Sequence, residues 1–316
     1  MAIRNGTTGN DILFGTSEDD TMFGGIGDDT FMASAGSDTY FGGAGNDTVD
    51  YSRIASGANF NGVNLGILVS LQDGEGREFG ANTGLDHYSS VENVTGSNFL
   101  DIIEGDGNAN IIRGLDGDDF IEGMGGADVL EGGNGIDTLM YGQSNARVVV
   151  DLQNNTASGG HATGDVISGF ENIDGSNFND ILSGTNGRND IYGSNGNDTI
   201  NARGGNDTIE GGRGNDVMTG GSGSDTFFFN IQQELTGVDH ITDFDVNRDS
   251  IDIRYQHGYE PTITMTAGNF NVADMSVDLV LHMHDESGEA GTIVLDHIAI
   301  ADIDDVMGQI NFQEVA

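Results

Sequence analysis

Gly24-Gly25-Ile26-Gly27-Asp28-Asp29-Thr30-Phe31-Met32 returns eighteen residues on as Gly42-Gly43-Ala44-Gly45-Asn46-Asp47-Thr48-Val49-Asp50. The shared pattern is Gly-Gly-x-Gly-x-Asp, then three residues with an apolar one in the middle. Stepping by nine from Gly6 gives five units through Asp50, with Asp11, Asp20, Asp29, Asp38 and Asp47 at the sixth position. A second block of five covers 96–140 and carries Asp101, Asn110, Asp119, Asp128 and Asp137. A third block of six covers 175–228 and carries Asp180, Asn189, Asp198, Asp207, Asp216 and Asp225. Self-similarity at a fixed short period is the mark of a solenoid, in which each unit buries its apolar face only against its neighbours.

The spacing has a physical reading. The glycine-rich six residues form a turn, because glycine reaches positive φ without a Cβ penalty. The last three form a short strand whose middle side chain points to one face. That eighth position is Leu13, Met22, Phe31, Tyr40 and Val49, then Ile103, Ile112, Ile121, Leu130 and Leu139. In the third block it is Leu182, Ile191, Ile200, Ile209, Met218 and Phe227, so every unit places an apolar or aromatic residue there. Two units make one coil, and the turns alternate between the two edges of a flattened parallel β-roll. Turns on one edge then stack at the strand spacing of about 4.8 Å. Aspartates and free turn carbonyls of units i and i+2 surround a shared gap. The donors are all oxygen, partly anionic, on a flexible frame, which suits Ca²⁺ and suits Mg²⁺ or transition metals poorly.

Composition agrees. The chain of 316 residues has 52 glycines, one proline (Pro261), no cysteine and no tryptophan. Aspartate and glutamate number 52 against 10 lysine and arginine, a formal charge of −42, which calls for a cationic partner. Nucleic acid is not an expected partner, nor is an anionic membrane surface, since both need a basic patch. Without cysteine there is neither a disulfide framework nor a Cys-type zinc site. No stretch approaches the roughly 18 apolar residues of a membrane span, and residues 1–6 show no apolar secretory leader.

On these nonamers the chain resembles the RTX (repeats-in-toxin) family of hemolysin-type calcium-binding repeat proteins, exported by type I secretion. The resemblance implies an all-β fold, a parallel β-roll, with Ca²⁺ between successive same-edge turns. The implied ligands are Asp11, Asp20, Asp29, Asp38, Asp47, Asp101, Asp119, Asp128, Asp137, Asp180, Asp198, Asp207, Asp216 and Asp225. Turn carbonyls join them, from turns built on Gly25, Gly27, Gly43, Gly45, Gly117, Gly133, Gly135, Gly196, Gly205, Gly212, Gly214, Gly221 and Gly223. Counting gaps gives about ten ions. The pairs Asp29–Asp47, Asp119–Asp137, Asp198–Asp216 and Asp207–Asp225 join nearly complete motifs and are expected to be strongest. The Asp20–Asp38 edge, and gaps using the uncharged Asn110 and Asn189, are expected to be weaker.

The expected organisation is RTX block 1 (1–50), a β insert (51–95), block 2 (96–140), a second β insert (141–174), block 3 (175–228) and a C-terminal region (229–316). The inserts resemble each other: Val91-Glu92-Asn93-Val94 answers Phe170-Glu171-Asn172-Ile173. Their alternating segments read as strands that cap or extend the roll. Glu92 and Glu171 are read as turn-stabilising or solvated acids rather than ligands. Residues 229–316 are similar to the tail that follows the repeats in type I secreted RTX proteins. The runs in 262–300 read as a small antiparallel β cap, and 312–316 fit a secretion terminus loosely. Asp243, Asp245, Asn247 and Asp249 have EF-hand spacing, but Arg248 and Arg254 stand where that loop needs glycine and glutamate.

No catalytic centre is expected. The histidines (His87, His161, His240, His257, His282, His284, His297) form no H-E-x-x-H motif, and there is no G-x-S-x-G. His282 and His284 share a strand face, with no clear third zinc ligand. The expected function is a secreted, extracellular calcium-binding protein of Gram-negative bacterial type, structural or adhesive, with polysaccharide or a cell surface as partner. The alternatives are an accessory repeat module of a polysaccharide-modifying or proteolytic enzyme, or a membrane-active toxin-like protein. The start at Met1 directly on the repeats leaves no separate catalytic domain to be expected, and no insertion region is visible.

Overall fold

The computed structural model describes residues 2–54, 58–60, 62–79, 84–230, 237–256, 262–271, 276–285, 288–299 and 303–315. His257, Pro261 and Ala316 lie outside the described residues, as do the side chains of His284 and His297. Strands eighteen residues apart pair in parallel, with Thr21 opposite Thr39 and Met22 opposite Tyr40 in one sheet, and Phe31 opposite Val49 in the other. Successive units therefore feed two facing sheets, and the eighth-position side chains point into the space between them. This is an all-β parallel roll, with two nonamers per coil.

The chain divides into two compact units, Met1–Tyr141 with Asn155–Phe170, and Gly142–Asn154 with Glu171–Ala316. In the first, the insert enters one sheet as Leu85–Ser89, Glu75–Glu78 and Val63–Ser70. Leu85–Ser89 pairs parallel with the block 1 strand Thr39–Ala44, and Val63–Ser70 pairs parallel with the block 2 strand Leu100–Asp106. Glu75–Glu78 runs antiparallel between the two insert strands. The opposite sheet needs only Asn93–Thr95, which joins Thr48–Asp50 to Ile111–Asp116. The insert thus extends the roll without breaking its hydrogen-bond ladder.

In the second unit the roll continues past the repeats. Val238–Ile241 and Ser250–Gln256 pair parallel with Val217–Thr219 and Thr226–Asn230. The three strands Thr262–Asn271, Ser276–Asp285 and Gly288–Ala299 form an antiparallel cap, joined to the roll through Val238–Ile241. Ile310–Val315 adds a further parallel strand beside Ser250–Gln256. The loosely expected secretion terminus is therefore, as far as Val315, a strand of the sheet.

The core is the apolar stack that the period implies. Fifteen of the sixteen eighth-position residues are buried, and Leu13 is half-buried in the first coil, which has a neighbour on one side only. Non-repeat residues extend the stack in register: Val69 opposite Ile103, Val94 opposite Val49, Ile167 opposite Leu130, Val150 opposite Leu182, and Ile251 opposite Phe227. Burying such a side chain is worth roughly 1.5–3 kcal/mol. A single apolar row serving nine backbone residues is a thin core, so the fold depends on how its polar turns are satisfied.

Candidate metal centre

The sixth-position aspartates turn inward and chain the turns together. Where a repeat follows on the same edge, the backbone N–H donates to the Oδ1 of the aspartate eighteen residues on: Asp29 to Asp47 at 2.8 Å, Asp119 to Asp137 at 2.9 Å, Asp198 to Asp216 at 2.8 Å, Asp207 to Asp225 at 3.0 Å. The same bond runs from Asp11 to Asp29, Asp20 to Asp38, Asp101 to Asp119 and Asp180 to Asp198. Except for Asp11, these carboxylates are almost wholly removed from solvent.

The second carboxylate oxygen separates the turns into two classes. In the closed class the chain satisfies it. Thr7, Thr16, Ser97 and Ser176, at the second turn position, donate their N–H to Oδ2 of Asp11, Asp20, Asp101 and Asp180 at 2.5–2.6 Å. Their hydroxyls add a second bond to the same carboxylates. Asp38 takes the Ser34 and Tyr40 hydroxyls, and Asn110 and Asn189 accept the N–H of Asp106 and Thr185. The first two turns of every block are closed, one on each edge.

In the open class the second-position residue is left-handed, and its peptide no longer donates to the carboxylate. These residues are Gly25, Gly43, Leu115, Met124, Gly133, Ser194, Arg203, Gly212 and Gly221. Among the described residues, Oδ2 of Asp29, Asp47, Asp119, Asp128, Asp198, Asp207, Asp216 and Asp225 is buried with no hydrogen-bond partner. A buried acceptor without a partner is costly, and one that is ionised more so. Four of the second-position residues are not glycine: Leu115 at φ 85°, Met124 at 64°, Ser194 at 77° and Arg203 at 76°. That conformation costs about 1–2 kcal/mol each outside glycine, so the open geometry is held against local preference.

The titration behaviour follows from burial. Desolvation first, and then neighbouring carboxylates, push Asp119 and Asp198 up to about 8 and Asp128 up to about 7. Asp207 rises to about 6 by the same causes. Burial also raises Asp216 and Asp239, whose carboxyls interact. Such groups want either a proton or a cation.

The first turn position completes the geometry. A Cβ at Gly24, Gly114 or Gly193 would collide with Oδ2 of that turn's own aspartate and with a carbonyl oxygen of the next same-edge turn, from Gly42, Gly132 or Gly211. A carboxylate and a carbonyl therefore converge over each of these glycines. Oxygen donors around a cradle that only glycine leaves open fit a hard divalent cation of calcium's preferences.

The model of the RTX calcium-binding nonapeptide repeat matches residues 5–40 and 14–49, 95–139, and 165–200, 174–209 and 192–227. The chain carries RTX calcium-binding nonapeptide repeats. RTX repeats bind Ca²⁺, and the open turns supply a donor set suited to that ion. Among solved structures, extracellular lipase LipA from Serratia marcescens aligns over 97% of this chain and 39% of its own, at 17% identity and a TM-score of 0.31. The AlgE6R3 subunit from the Azotobacter vinelandii mannuronan C5-epimerase aligns over 42% of this chain and 78% of its own, at 26% identity and a TM-score of 0.31. The RTX chain thus spans well under half of the lipase. Comparison with curated protein sequences finds no match.

Not all the sequence-level ligands are equivalent in this RTX roll. Asp20, Asp38, Asp101 and Asp180 have both oxygens hydrogen-bonded by the chain itself. The four pairs expected to be strongest each begin on an open turn. Two groups of residues escaped sequence reasoning. One is the first-position glycines. The other is a set of acids outside the repeats that continue the aspartate chain: Asp86 accepts from Asp38 N–H at 2.9 Å and Asp165 from Asp128 at 3.0 Å, while Glu92, read from the sequence as turn-stabilising or solvated, accepts from Asp47 N–H at 2.9 Å. Asp239 and Asp249 do the same for Asp216 and Asp225, both at 3.0 Å. The duplicated inserts were the available signal: Tyr51 and Tyr141 donate their hydroxyls to Asp86 and Asp165 at 2.8 and 3.0 Å.

The acids with EF-hand spacing are engaged separately. Asp243 accepts the N–H groups of Gly220 and Gly221, Asp245 pairs with Arg248 at 2.7 Å, and Asp249 accepts from Asp245 and Asp225. They close the last turns of the roll. His282 lies 3.4 Å from the Thr292 hydroxyl.

Proposed function

We propose that this RTX chain is a secreted, non-enzymatic calcium-binding protein that folds on Ca²⁺ outside the cell and serves a structural, adhesive or matrix role. The observation that carries the reading is the row of buried Oδ2 atoms without hydrogen-bond partners in the open turns. Asp29 with Asp47, Asp119 with Asp137, Asp198 with Asp216, and Asp207 with Asp225 hold the strongest ions, helped by carbonyls of the turns between them. The other gaps, where one turn is closed or, between Asp20 and Asp38, both are, bind more weakly or not at all. Ion binding to the folded chain alone adds its free energy to folding. Low cytosolic Ca²⁺ keeps the chain expanded and fit for a type I exporter, and extracellular Ca²⁺ folds it. An extracellular polysaccharide or cell surface is the partner in view.

Circular dichroism in EDTA and in millimolar Ca²⁺, with calorimetric titration, tests the proposal. A chain equally folded in both conditions refutes the switch. Pull-down from extracellular matrix material tests the adhesive role.

A further inference from the structure

Asp47 is the last sixth-position aspartate of block 1, and no repeat follows it on its edge. Its residue is 0% exposed, and its Oδ2 is buried with no hydrogen-bond partner. A repeat-to-repeat gap such as that of Asp29 has three parts: Oδ2 of Asp29, the Gly42 carbonyl converging with it over Gly24, and the Asp47 carboxylate on the Asp29 N–H. The insert rebuilds the same three parts around Asp47. A Cβ at Gly42 would collide with Asp47 Oδ2 and with the Ser90 carbonyl oxygen, so these two oxygens converge as the repeat pair does. Glu92 Oε2 accepts the Asp47 N–H at 2.9 Å, where a sixth-position aspartate would stand. Ser90 is left-handed, at φ 53°. The acid stands two positions after the carbonyl here (Ser90 to Glu92), against five in a repeat (Gly42 to Asp47), and the longer glutamate side chain spans the difference.

We propose that Asp47, the Ser90 carbonyl and Glu92 form a calcium site outside the repeat-to-repeat gaps, which fastens the insert to the end of block 1. Two carboxylates balance the ion's charge, and turn carbonyls and water complete a shell of 6–8 oxygens. Asp47 is fully buried and Glu92 stands on its N–H, so an ion between the two carboxylates offsets neighbouring like charges. Asp216, Asp225 and Asp128 also meet non-repeat acids, but the three atoms nearest a Cβ at Gly211, Gly220 or Gly123 include no carbonyl oxygen, unlike those at Gly42. In the second insert, Gly169 places its carbonyl over Gly132 as Ser90 does over Gly42, at φ 69°. The recurrence of this left-handed carbonyl in both inserts marks it as part of their design.

The site rests on the calcium reading of the repeats, and its test separates the two. Glu92→Gln keeps an oxygen for the Asp47 N–H and removes the charge. Native mass spectrometry of the full chain in Ca²⁺ should count one ion fewer, or show at least a tenfold weaker last step. Circular dichroism in saturating Ca²⁺ should match that of the unmodified chain. Asp73→Asn, which removes an exposed carboxylate from the same insert, should retain the full count. An unchanged count and affinity for Glu92→Gln overturns the junction site while leaving the repeat sites standing. No ion bound by the unmodified chain overturns both. Carbon-13 spectra of the unmodified chain give an answer that does not depend on the variant folding. The Glu92 side-chain carboxyl resonance should move on Ca²⁺ addition, and a resonance that stays in place overturns the site.

Discussion

Without a bound cation, the folded chain should become less stable as pH rises from 5 to 8. Burial holds the Asp119 and Asp198 carboxyls at about 8 in the folded state, against 3.8 for an ordinary aspartate. The folded chain therefore retains protons that the unfolded chain has released. Stability is fully present below about pH 4 and is lost as pH climbs through the folded values. At pH 7 the loss spans roughly three pH units, or ~4 kcal/mol for each group as a ceiling. Relaxation and water entry reduce this to ~2 kcal/mol each. Asp119 lies in one compact unit and Asp198 in the other, so each unit bears such a loss. Against a typical net stability of 5–15 kcal/mol, the loss is a sizeable fraction. Calcium reverses the sign, because it binds the ionised carboxylates and competes with protons for them. Thermal melts followed by circular dichroism at pH 5, 6, 7 and 8, in EDTA and in Ca²⁺, measure both slopes. General self-repulsion of the −42 chain also eases on acidification. The melts therefore belong in about 0.5 M KCl, which screens exposed charges much more than buried ones. The expected trend in EDTA is a falling melting temperature that ends in loss of the folded signal at the higher pH, and a chain that folds in EDTA at pH 5 and is as stable or more stable at pH 8 refutes the reasoning.

Asp207→Ala and Asp216→Ala should each weaken the last cooperative step of calcium-induced folding more than Asp20→Ala does, since Asp20 is already satisfied by Ala2 and Thr16; a calcium titration by circular dichroism measures the difference. Gly114→Ala should lower stability in Ca²⁺ by about 3 kcal/mol, because its Cβ meets Asp119 Oδ2 and the Gly132 carbonyl together. Gly107→Ala, with nothing within 4 Å and no left-handed φ, should be neutral or slightly stabilising, and urea unfolding of both variants in Ca²⁺ measures the contrast. Leu115→Gly should raise stability by about 1 kcal/mol, by relieving the φ of 85° at a half-exposed side chain, and a higher melting temperature in Ca²⁺ is the readout.

The nine-residue register, the apolar stack and the inward aspartates were legible from the chain alone. Each depends on contacts at a constant separation of eighteen residues, and such a separation leaves a period in the sequence. Met22 and Tyr40, or Asp29 and Asp47, are neighbours in space because they are equivalent in the pattern. The closed turns were half-legible, since Thr7, Thr16, Ser34, Ser97, Ser176 and Thr185 place a hydroxyl at the second position. Ser194 does the same and yet stands left-handed, so the residue type does not decide the backbone there. What only the tertiary structure decided is which acids outside the repeats take over the ladder. Asp86 meets Asp38 across 48 residues and Glu92 meets Asp47 across 45, at separations that no period marks. The insert folds as extra strands that restore the coil, and only that path brings Ser90 and Glu92 to the buried carboxylate of Asp47. Local repetition specifies neighbours one coil apart; a break in the repetition leaves the partner to the route of the intervening chain.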